Sequence, residues 1–83
     1  MYTVYALYSA KYEKIYIGFT SDLTKRLSSH NHLSHKGYTA KYRPWELVYQ
    51  EEYDDKRSAM VREKQLKSAK GREYLWHLIK KKL

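Results

Sequence analysis

Alternating apolar and polar positions predict three strands. Residues 2–9 (YTVYALYS) and 14–19 (KIYIGF) are rich in aromatic and β-branched side chains, which favour strands. Since only residues 10–13 separate the two segments, they are expected to pair as an antiparallel hairpin. Residues 45–53 alternate, with Trp45, Leu47 and Tyr49 on one face, and this pattern predicts a third, half-buried strand.

A helix is predicted between the second and third strands. Residues 20–22 (TSD) supply an N-cap and an acidic first turn. One side of the helix that follows is marked by positions at helical spacing, which are Leu23, Arg26, Leu27 and His30. Residues 31–44 show no periodicity and end at the only proline, so they are expected to form a basic loop.

Two further helices are predicted after the third strand. Asp54 and Asp55 are expected to turn the chain and cap a helix over Lys56–Lys67. Gly71 is expected to interrupt the chain, and residues 72–83 predict a final amphipathic helix. The order β-β-α-β-α-α predicts an α+β fold, a small three-stranded antiparallel sheet flanked by helices.

Length and charge limit the kinds of function. The 83 residues suffice for one domain, residues 1–83, whose thin core favours a surface groove over an enclosed cavity. Seventeen Lys and Arg against nine Asp and Glu give a net charge of +8, which favours nucleic acid or an acidic membrane surface as partner. No predicted helix pairs a lysine-rich face with a broad exposed apolar face, so the membrane surface is the weaker reading.

Cysteine content and hydropathy limit the kinds of site and the cellular compartment that are expected. The absence of cysteine excludes a disulfide framework, a thiolate zinc site and a cysteine nucleophile. No segment approaches the ~20 apolar residues of a membrane span, and the first residues lack the basic region and cleavage site of a signal peptide. A cytoplasmic protein without membrane contact is therefore expected.

Three charged or titratable residues occupy positions that the pattern assigns to the interior. Arg26 and His30 share a helix side with two leucines, and Glu63 shares one with Ala59 and Leu66. Such groups pair, bind a metal or line a site. Alternatively, an arginine can extend to water and a glutamate at a helix edge can reach it, so periodicity alone leaves both readings open.

Five short motifs follow one another in a fixed order. Val4-Tyr5 and Tyr16-Ile17-Gly18 lie in the first two strands, and Arg26 and His30 lie four residues apart in the helix that follows. Residues 42–49 (YRPWELVY) and 62–67 (REKQLK) complete the series. Together, from residue 2 to about residue 71, they resemble the GIY-YIG nuclease family. The match is to its small stand-alone branch and to the nuclease domains of Slx-type and excision-repair UvrC-type enzymes.

The resemblance implies a set of roles. It implies catalytic residues at Tyr5, Tyr16, Arg26, His30 and Glu63, with Glu63 also binding one divalent metal ion, Mg²⁺ or Mn²⁺. The basic charge and the strand-end glycine add candidates for nucleic-acid binding, which are Gly18, Lys25, Lys36, Lys41, Arg43, Lys64 and Lys67. The sequence departs from the family pattern at three positions, with Thr3, Phe19 and His30 where relatives have glycine, lysine and tyrosine.

The expected chemistry is metal-dependent hydrolysis of DNA phosphodiester bonds. A free tyrosine is only about 0.1% phenolate at neutral pH, so Tyr16 is expected to position the water and to pass its proton onward, with His30 as one acceptor. No sequence-reading motif is present, which favours selection by DNA structure and a role in repair or processing. Branched and single-stranded DNA both remain open as substrates. The alternative is a non-catalytic or partner-dependent nucleic-acid-binding module, with a protein partner supplying specificity.

Overall fold

The predicted strands form one antiparallel sheet. In the computed structural model, which describes residues 1–29, 31 and 38–82, the strands are β1 (Tyr2–Ser9), β2 (Lys14–Thr20) and β3 (Glu46–Tyr53). Their order in the sheet is β2-β1-β3, so β1 is central and pairs antiparallel with both neighbours. The predicted α+β fold with a three-stranded antiparallel sheet is confirmed.

Four helices lie in the described part of the chain, and all but the second are in the expected places. They are α1 (Leu23–Ser28), α2 (Tyr38–Lys41), α3 (Lys56–Lys67) and α4 (Ala69–Lys82). The carboxylate of Asp22 accepts the Lys25 backbone N–H at 3.1 Å and so begins α1. Asp55 begins α3 in the same way, accepting the Ser58 backbone N–H at 2.9 Å. Both helices therefore start at side-chain caps that the sequence predicts.

Side-chain alternation along β1 divides the core between the two faces of the sheet. Val4 and Ala6 point toward α3 and α4, where they pack in one cluster with Tyr8, Ile15, Ile17, Ala59, Leu66, Leu75 and Ile79. Tyr5 and Leu7 point the other way and pack with Trp45, against which lie leucines of α1. Helices therefore cover both faces, with the larger apolar cluster under α3 and α4.

A β-bulge in β3 changes which residues share a face. Ala6 pairs with Tyr49 and Leu7 with Leu47, so Val48 has no partner of its own on β1. Leu47 packs beside Leu7, whereas Tyr49 packs on the opposite side of the sheet. The predicted grouping of Tyr49 with Leu47 is wrong, because one extra residue shifts the alternation by one.

Helix boundaries differ from the prediction in two segments. Residues 31–44, expected to be loop throughout, contain the one-turn helix α2. The last helix begins at Ala69 rather than at residue 72, and Gly71 lies within its first turn. A single turn has no repeated apolar pattern to reveal it, which explains the first difference.

Ser68 and Gly71 explain the second difference. Ser68 ends α3 by donating its N–H to the Gln65 carbonyl at 3.2 Å, and its hydroxyl accepts the Gly71 N–H at 3.2 Å. A Cβ at position 71 would lie 2.3 Å from the Gln65 carbonyl oxygen and 2.5 Å from Leu66 Cα. Gly71 is thus a site of close backbone approach between consecutive helices rather than a break in the chain.

A polar cluster joins β3 to α3 on the face covered by α3 and α4. The Glu51 carboxylate accepts hydrogen bonds from the hydroxyls of Tyr49 and Tyr53 and from Arg62, whose Nε lies 3.0 Å from Oε1. Burial opposes ionisation of Glu51, but the hydrogen bonds from Arg62, Tyr49 and Tyr53 outweigh it, and the pKa of Glu51 lies below its usual value. The folded protein therefore favours the charged carboxylate.

Replacing Glu51 with Gln is expected to lower the free energy of unfolding at neutral pH by about 1–3 kcal/mol, because Arg62 loses its charged partner. A lowered pKa stabilises the fold above the ordinary value of 4.5, and this contribution is lost as the pH falls through the folded-state pKa. Urea unfolding between acid and neutral pH should therefore show a weaker acid dependence in Glu51→Gln than in the wild type.

The matched control for this prediction is Glu52→Gln, which changes the neighbouring exposed carboxylate on the other face of β3. It is expected to leave stability within about 0.5 kcal/mol of the wild type. An acid dependence in Glu51→Gln as steep as in the wild type would contradict the role given to the Glu51 cluster.

Candidate active site

The side chain of Tyr5, a residue of the central strand β1, extends over the neighbouring edge strand β2. Tyr5 is fully buried and pairs directly with Gly18. A Cβ built on Gly18 would lie 2.8 Å from the Tyr5 hydroxyl oxygen and 3.0 Å from its Cζ. The glycine therefore leaves room for the end of the Tyr5 ring. Its contact with nucleic acid stays a prediction.

Helix α1 brings Arg26 to this ring. The guanidinium makes side-chain hydrogen bonds to Tyr5 and Tyr16, and the Tyr5 bond is the main cause that raises the pKa of Arg26. A guanidinium has only donors, so both hydroxyl oxygens accept. Arg26 itself is exposed, which leaves a permanently charged group at the surface, next to two tyrosine hydroxyls.

The Tyr5 hydroxyl stays protonated at neutral pH. Burial, opposed by the Arg26 hydrogen bond, is the main cause that raises the pKa of Tyr5 to about 12, and the charges of Tyr16 and Glu63 add to it. Tyr5 is therefore a hydrogen-bonding group and not a general base under physiological conditions. Because the raised pKa favours the neutral form, its contribution to stability is present below pH 10.0 and is lost as the pH rises toward 12.

Tyr16 continues the aromatic series on the same face of the sheet. It is half-buried, with its ring centroid 6.3 Å from that of Tyr5 and 6.3 Å from that of Trp45. Trp45 is in turn held by Asn31, whose side chain accepts the Trp45 N–H at 2.8 Å and donates to the Trp45 carbonyl at 3.2 Å. Sequence reasoning missed this Asn31–Trp45 pairing, for which a polar residue directly after the helix was the only signal.

Glu63 approaches the same edge from the other side of the sheet. Helix α3 packs on β1 and β2, and the Glu63 carboxylate is close enough for its charge to raise the pKa of Tyr5. Its side chain is 18% exposed, and Lys67 Nζ lies 3.4 Å from Oε1. The structure thus brings together four of the five predicted catalytic residues, Tyr5, Tyr16, Arg26 and Glu63. His30 lies outside the described residues.

The donor set fits a loosely held hard cation. Within residues 1–29, 31 and 38–82, no three acidic, histidine or cysteine side chains are grouped to hold a metal ion. In the described part of the chain, Glu63 offers carboxylate oxygens near Tyr5, beside a competing ammonium group on Lys67. Mg²⁺ accepts one protein carboxylate when waters and substrate oxygens complete its shell, so Glu63 is compatible with that ion and not with a closed protein cage.

The residues predicted to bind nucleic acid differ in their contacts with the rest of the protein. Lys25 and Lys64 are exposed on α1 and α3, and Lys67 pairs with Glu63. Lys41 ends α2 with its Nζ 5.4 Å from the centroid of the Tyr42 ring. Arg43 donates to the Ser29 carbonyl at 3.2 Å and so joins α1 to the segment before β3. Lys36 lies outside the described residues.

Replacing Gly18 with Ala is expected to lower the free energy of unfolding by about 1–3 kcal/mol, because the new methyl group overlaps the Tyr5 hydroxyl. In a Tyr5→Phe background that oxygen is gone, so the same substitution should cost at least about 0.5 kcal/mol less. Urea unfolding of the wild type, both single variants and the double variant measures this coupling.

The control cycle combines Gly18→Ala with Tyr16→Phe, since Tyr16 meets the built Cβ through a ring carbon at 3.2 Å and not through its hydroxyl. Near-additive costs are expected there. Additivity in the Tyr5 cycle as well would contradict the packing of the Tyr5 hydroxyl over Gly18.

Comparison with known proteins places these residues in a family. The sequence model described as the GIY-YIG catalytic domain matches residues 1–75. A UPF0213 protein of Staphylococcus saprophyticus is 41% identical over 54 residues, which are 65% of this chain and 66% of that protein. A UPF0213 protein of Bacillus pumilus is 44% identical over 54 residues, which are 65% of this chain and 55% of that protein. A UPF0213 protein of Natronomonas pharaonis is 38% identical over 65 residues, which are 78% of this chain and 75% of that protein.

The extent of these matches differs between relatives. The chain spans slightly less than two thirds of the staphylococcal protein and just over half of the Bacillus pumilus protein. No solved structure matches the chain significantly. In the described part of the chain, no helix has both the length and the apolar character needed to cross a bilayer. The family match covers the whole candidate site, from Tyr5 to Glu63, and the chain belongs to the GIY-YIG family, among relatives named UPF0213 proteins.

Proposed function

We propose that the chain hydrolyses phosphodiester bonds of DNA at the cluster of Tyr5, Tyr16, Arg26 and Glu63. The observation that carries this proposal is the exposed Arg26 guanidinium, which interacts with the Tyr5 and Tyr16 hydroxyls, while the charge of Glu63 reaches Tyr5 from α3. The cation suits a phosphate, and the carboxylate suits a divalent ion that a purely anion-binding surface would not require.

Arg26 would hold the scissile phosphate. Its guanidinium has five N–H donors, so hydrogen bonds to Tyr5 and Tyr16 leave others to face the solvent. A planar fork with fixed orientation can bind two phosphate oxygens at once. Tyr5, protonated because burial raises its pKa to about 12, would keep that fork in place rather than accept a proton.

Tyr16 would position the attacking water through its hydroxyl. The water oxygen forms the new bond to phosphorus, the bond from phosphorus to the leaving oxygen breaks, and the proton of the water passes to solvent or to His30. Glu63 would hold one Mg²⁺ or Mn²⁺, and a bound divalent ion neutralises phosphate charge and stabilises the leaving oxygen. Lys67, 3.4 Å from Glu63, would orient the carboxylate.

The substrate would be selected by backbone shape. The net charge of +8 supports binding to phosphates, and the exposed Lys25, Lys41 and Lys64 are candidates for contacts with the nucleic-acid backbone, which carry no sequence information. Lys36 and Arg43 are further candidates for backbone contact. We assign the chain to DNA repair or processing on this basis, with a protein partner as a source of added specificity.

A second candidate is a binding module that does not cut, alone or without a partner. The Glu63–Lys67 ion pair favours it, because a neutralised carboxylate binds a metal less well. Under this alternative Arg26 would still hold a phosphate, and the chain would bind nucleic acid with strong salt dependence.

Glu63→Gln is expected to lower the cleavage rate of the wild type by at least about 100-fold, because it removes the one carboxylate at the cluster. The measurement uses labelled duplex, single-strand, flap, fork and RNA substrates with Mg²⁺ or Mn²⁺. Arg26→Lys should lose about tenfold or more, equal to ~1.4 kcal/mol of barrier, since lysine lacks the planar fork.

Two control variants separate the effect of altering a charged surface residue from the loss of a group at the candidate site. Glu52→Gln removes an exposed carboxylate on β3, and Arg57→Lys alters an exposed arginine on α3, so both should cleave at wild-type rates. Circular dichroism checks folding of every variant. Salt-sensitive binding with no cleavage of any substrate by the wild type would support the binding module instead.

A further inference from the structure

A group of lysines and tyrosines lies beyond the catalytic cluster, at the β1–β2 turn and the end of α2. We call it the lysine–tyrosine patch, and its members are Lys11, Tyr12, Lys14, Lys41 and Tyr42. The rings of Tyr12 and Tyr42 meet edge to face, with centroids 5.3 Å apart and planes at 68°. Tyr12 is 41% exposed, which is unusual for a side chain whose only role is to fill a core.

The rings of the patch carry ammonium groups on their faces. Lys11 Nζ lies 5.4 Å from the Tyr12 centroid, and Lys14 Nζ lies 5.5 Å from that of Tyr42. Lys41 Nζ lies 5.4 Å from the Tyr42 centroid. Cations are attracted to ring faces because those faces are electronegative. They also place three positive charges around two aromatic surfaces.

The acidic residue of the same turn faces away from the patch. Glu13, whose φ is 53°, lines a groove with Glu73, Trp76 and His77 of α4 on the other side of the sheet. The left-handed backbone at Glu13 is typical of the last position of a hairpin loop. It directs the acid toward α4 while Lys11, Tyr12 and Lys14 surround the opposite surface.

The patch adjoins the catalytic cluster. Lys14 precedes Tyr16 by two residues on one face of β2, a separation of about 7 Å along the strand. Tyr42 packs against the buried group of Tyr5, Leu7 and Trp45. A strand whose phosphate lies at Arg26 can therefore run along β2 toward the exposed ring of Tyr12.

We propose that the lysine–tyrosine patch is a subsite that stacks an unpaired base of the substrate strand, with Lys11, Lys14 and Lys41 contacting its flanking phosphates. Stacking on aromatic rings inside a basic groove is how single strands are bound without sequence preference. A base within a duplex already stacks on both neighbours and cannot use the ring. The proposal rests on the proposed function and selects, among its substrates, nucleic acid with a single-stranded segment beside the cut.

The test is binding of the full chain to labelled oligothymidylate about 12 nucleotides long, followed by fluorescence anisotropy in EDTA so that no cleavage intervenes. Tyr12→Ala is expected to raise the Kd for the single strand about 5- to 100-fold. The Kd for a hairpin duplex of equal charge should change less than about twofold. Tyr12→Phe should bind the single strand within about threefold of the wild type, because the ring stays.

The matched control is Tyr74→Ala, which removes a tyrosine of similar exposure, 45%, on α4. It is expected to change neither Kd. Lys14→Gln should weaken binding to the single strand. It should also lower the slope of log Kd against log salt by about 1, as expected when one phosphate contact is lost. Thermal melting by circular dichroism separates lost binding from lost folding.

Equal losses on single strand and duplex in Tyr12→Ala, or no loss on either, would overturn the subsite. An oligouridylate arm that responds to Tyr12→Ala as oligothymidylate does would support base stacking shared by DNA and RNA. Failure of the two proposals looks different. Cleavage that depends on Glu63 without a Tyr12 effect on binding overturns only the subsite, whereas a Tyr12 effect without cleavage keeps the subsite and removes the hydrolysis.

Discussion

The hydrogen bond between Arg26 and the Tyr5 hydroxyl is the contact on which the candidate site depends. Tyr5 can reach Arg26 because Gly18 leaves the space above β2 empty of side chain. The same burial that fixes the ring raises the pKa of its hydroxyl to about 12, so the bond forms with a neutral partner and Arg26 keeps its full charge for an anion. A core residue thus orients a surface cation.

The larger part of the core and the candidate site lie on different faces of one small sheet. The larger apolar cluster lies under α3 and α4, and the Glu51–Arg62 ion pair joins α3 to the β3 edge. Glu63, the next residue of α3, is close enough for its charge to act on Tyr5. Helix α3 therefore both packs against the sheet and contributes a residue to the candidate site, which is how a chain of 83 residues combines both tasks.

The features that the sequence predicts correctly are those that depend on periodicity and on local side-chain chemistry. The strands, the Asp22 and Asp55 caps and the fold class follow from such signals. Tyr5, Tyr16, Arg26 and Glu63 lie close enough to influence one another, and the roles that the family resemblance implies for them stay predictions. The bulge at Val48 and the close approach at Gly71 depend on tertiary pairing and helix contact, which leave no periodic trace. The lysine–tyrosine patch has only one sequence signal, the ten tyrosines against one phenylalanine, and that signal does not say which rings are exposed.

The most direct test of the proposed site is a crystal structure of Glu63→Gln bound to a single-stranded oligonucleotide. A phosphate is expected within hydrogen-bonding distance of the Arg26 guanidinium, with Tyr5 still bonded to Arg26. An oligonucleotide bound along α4, with Arg26 contacting only the two tyrosines, would contradict it.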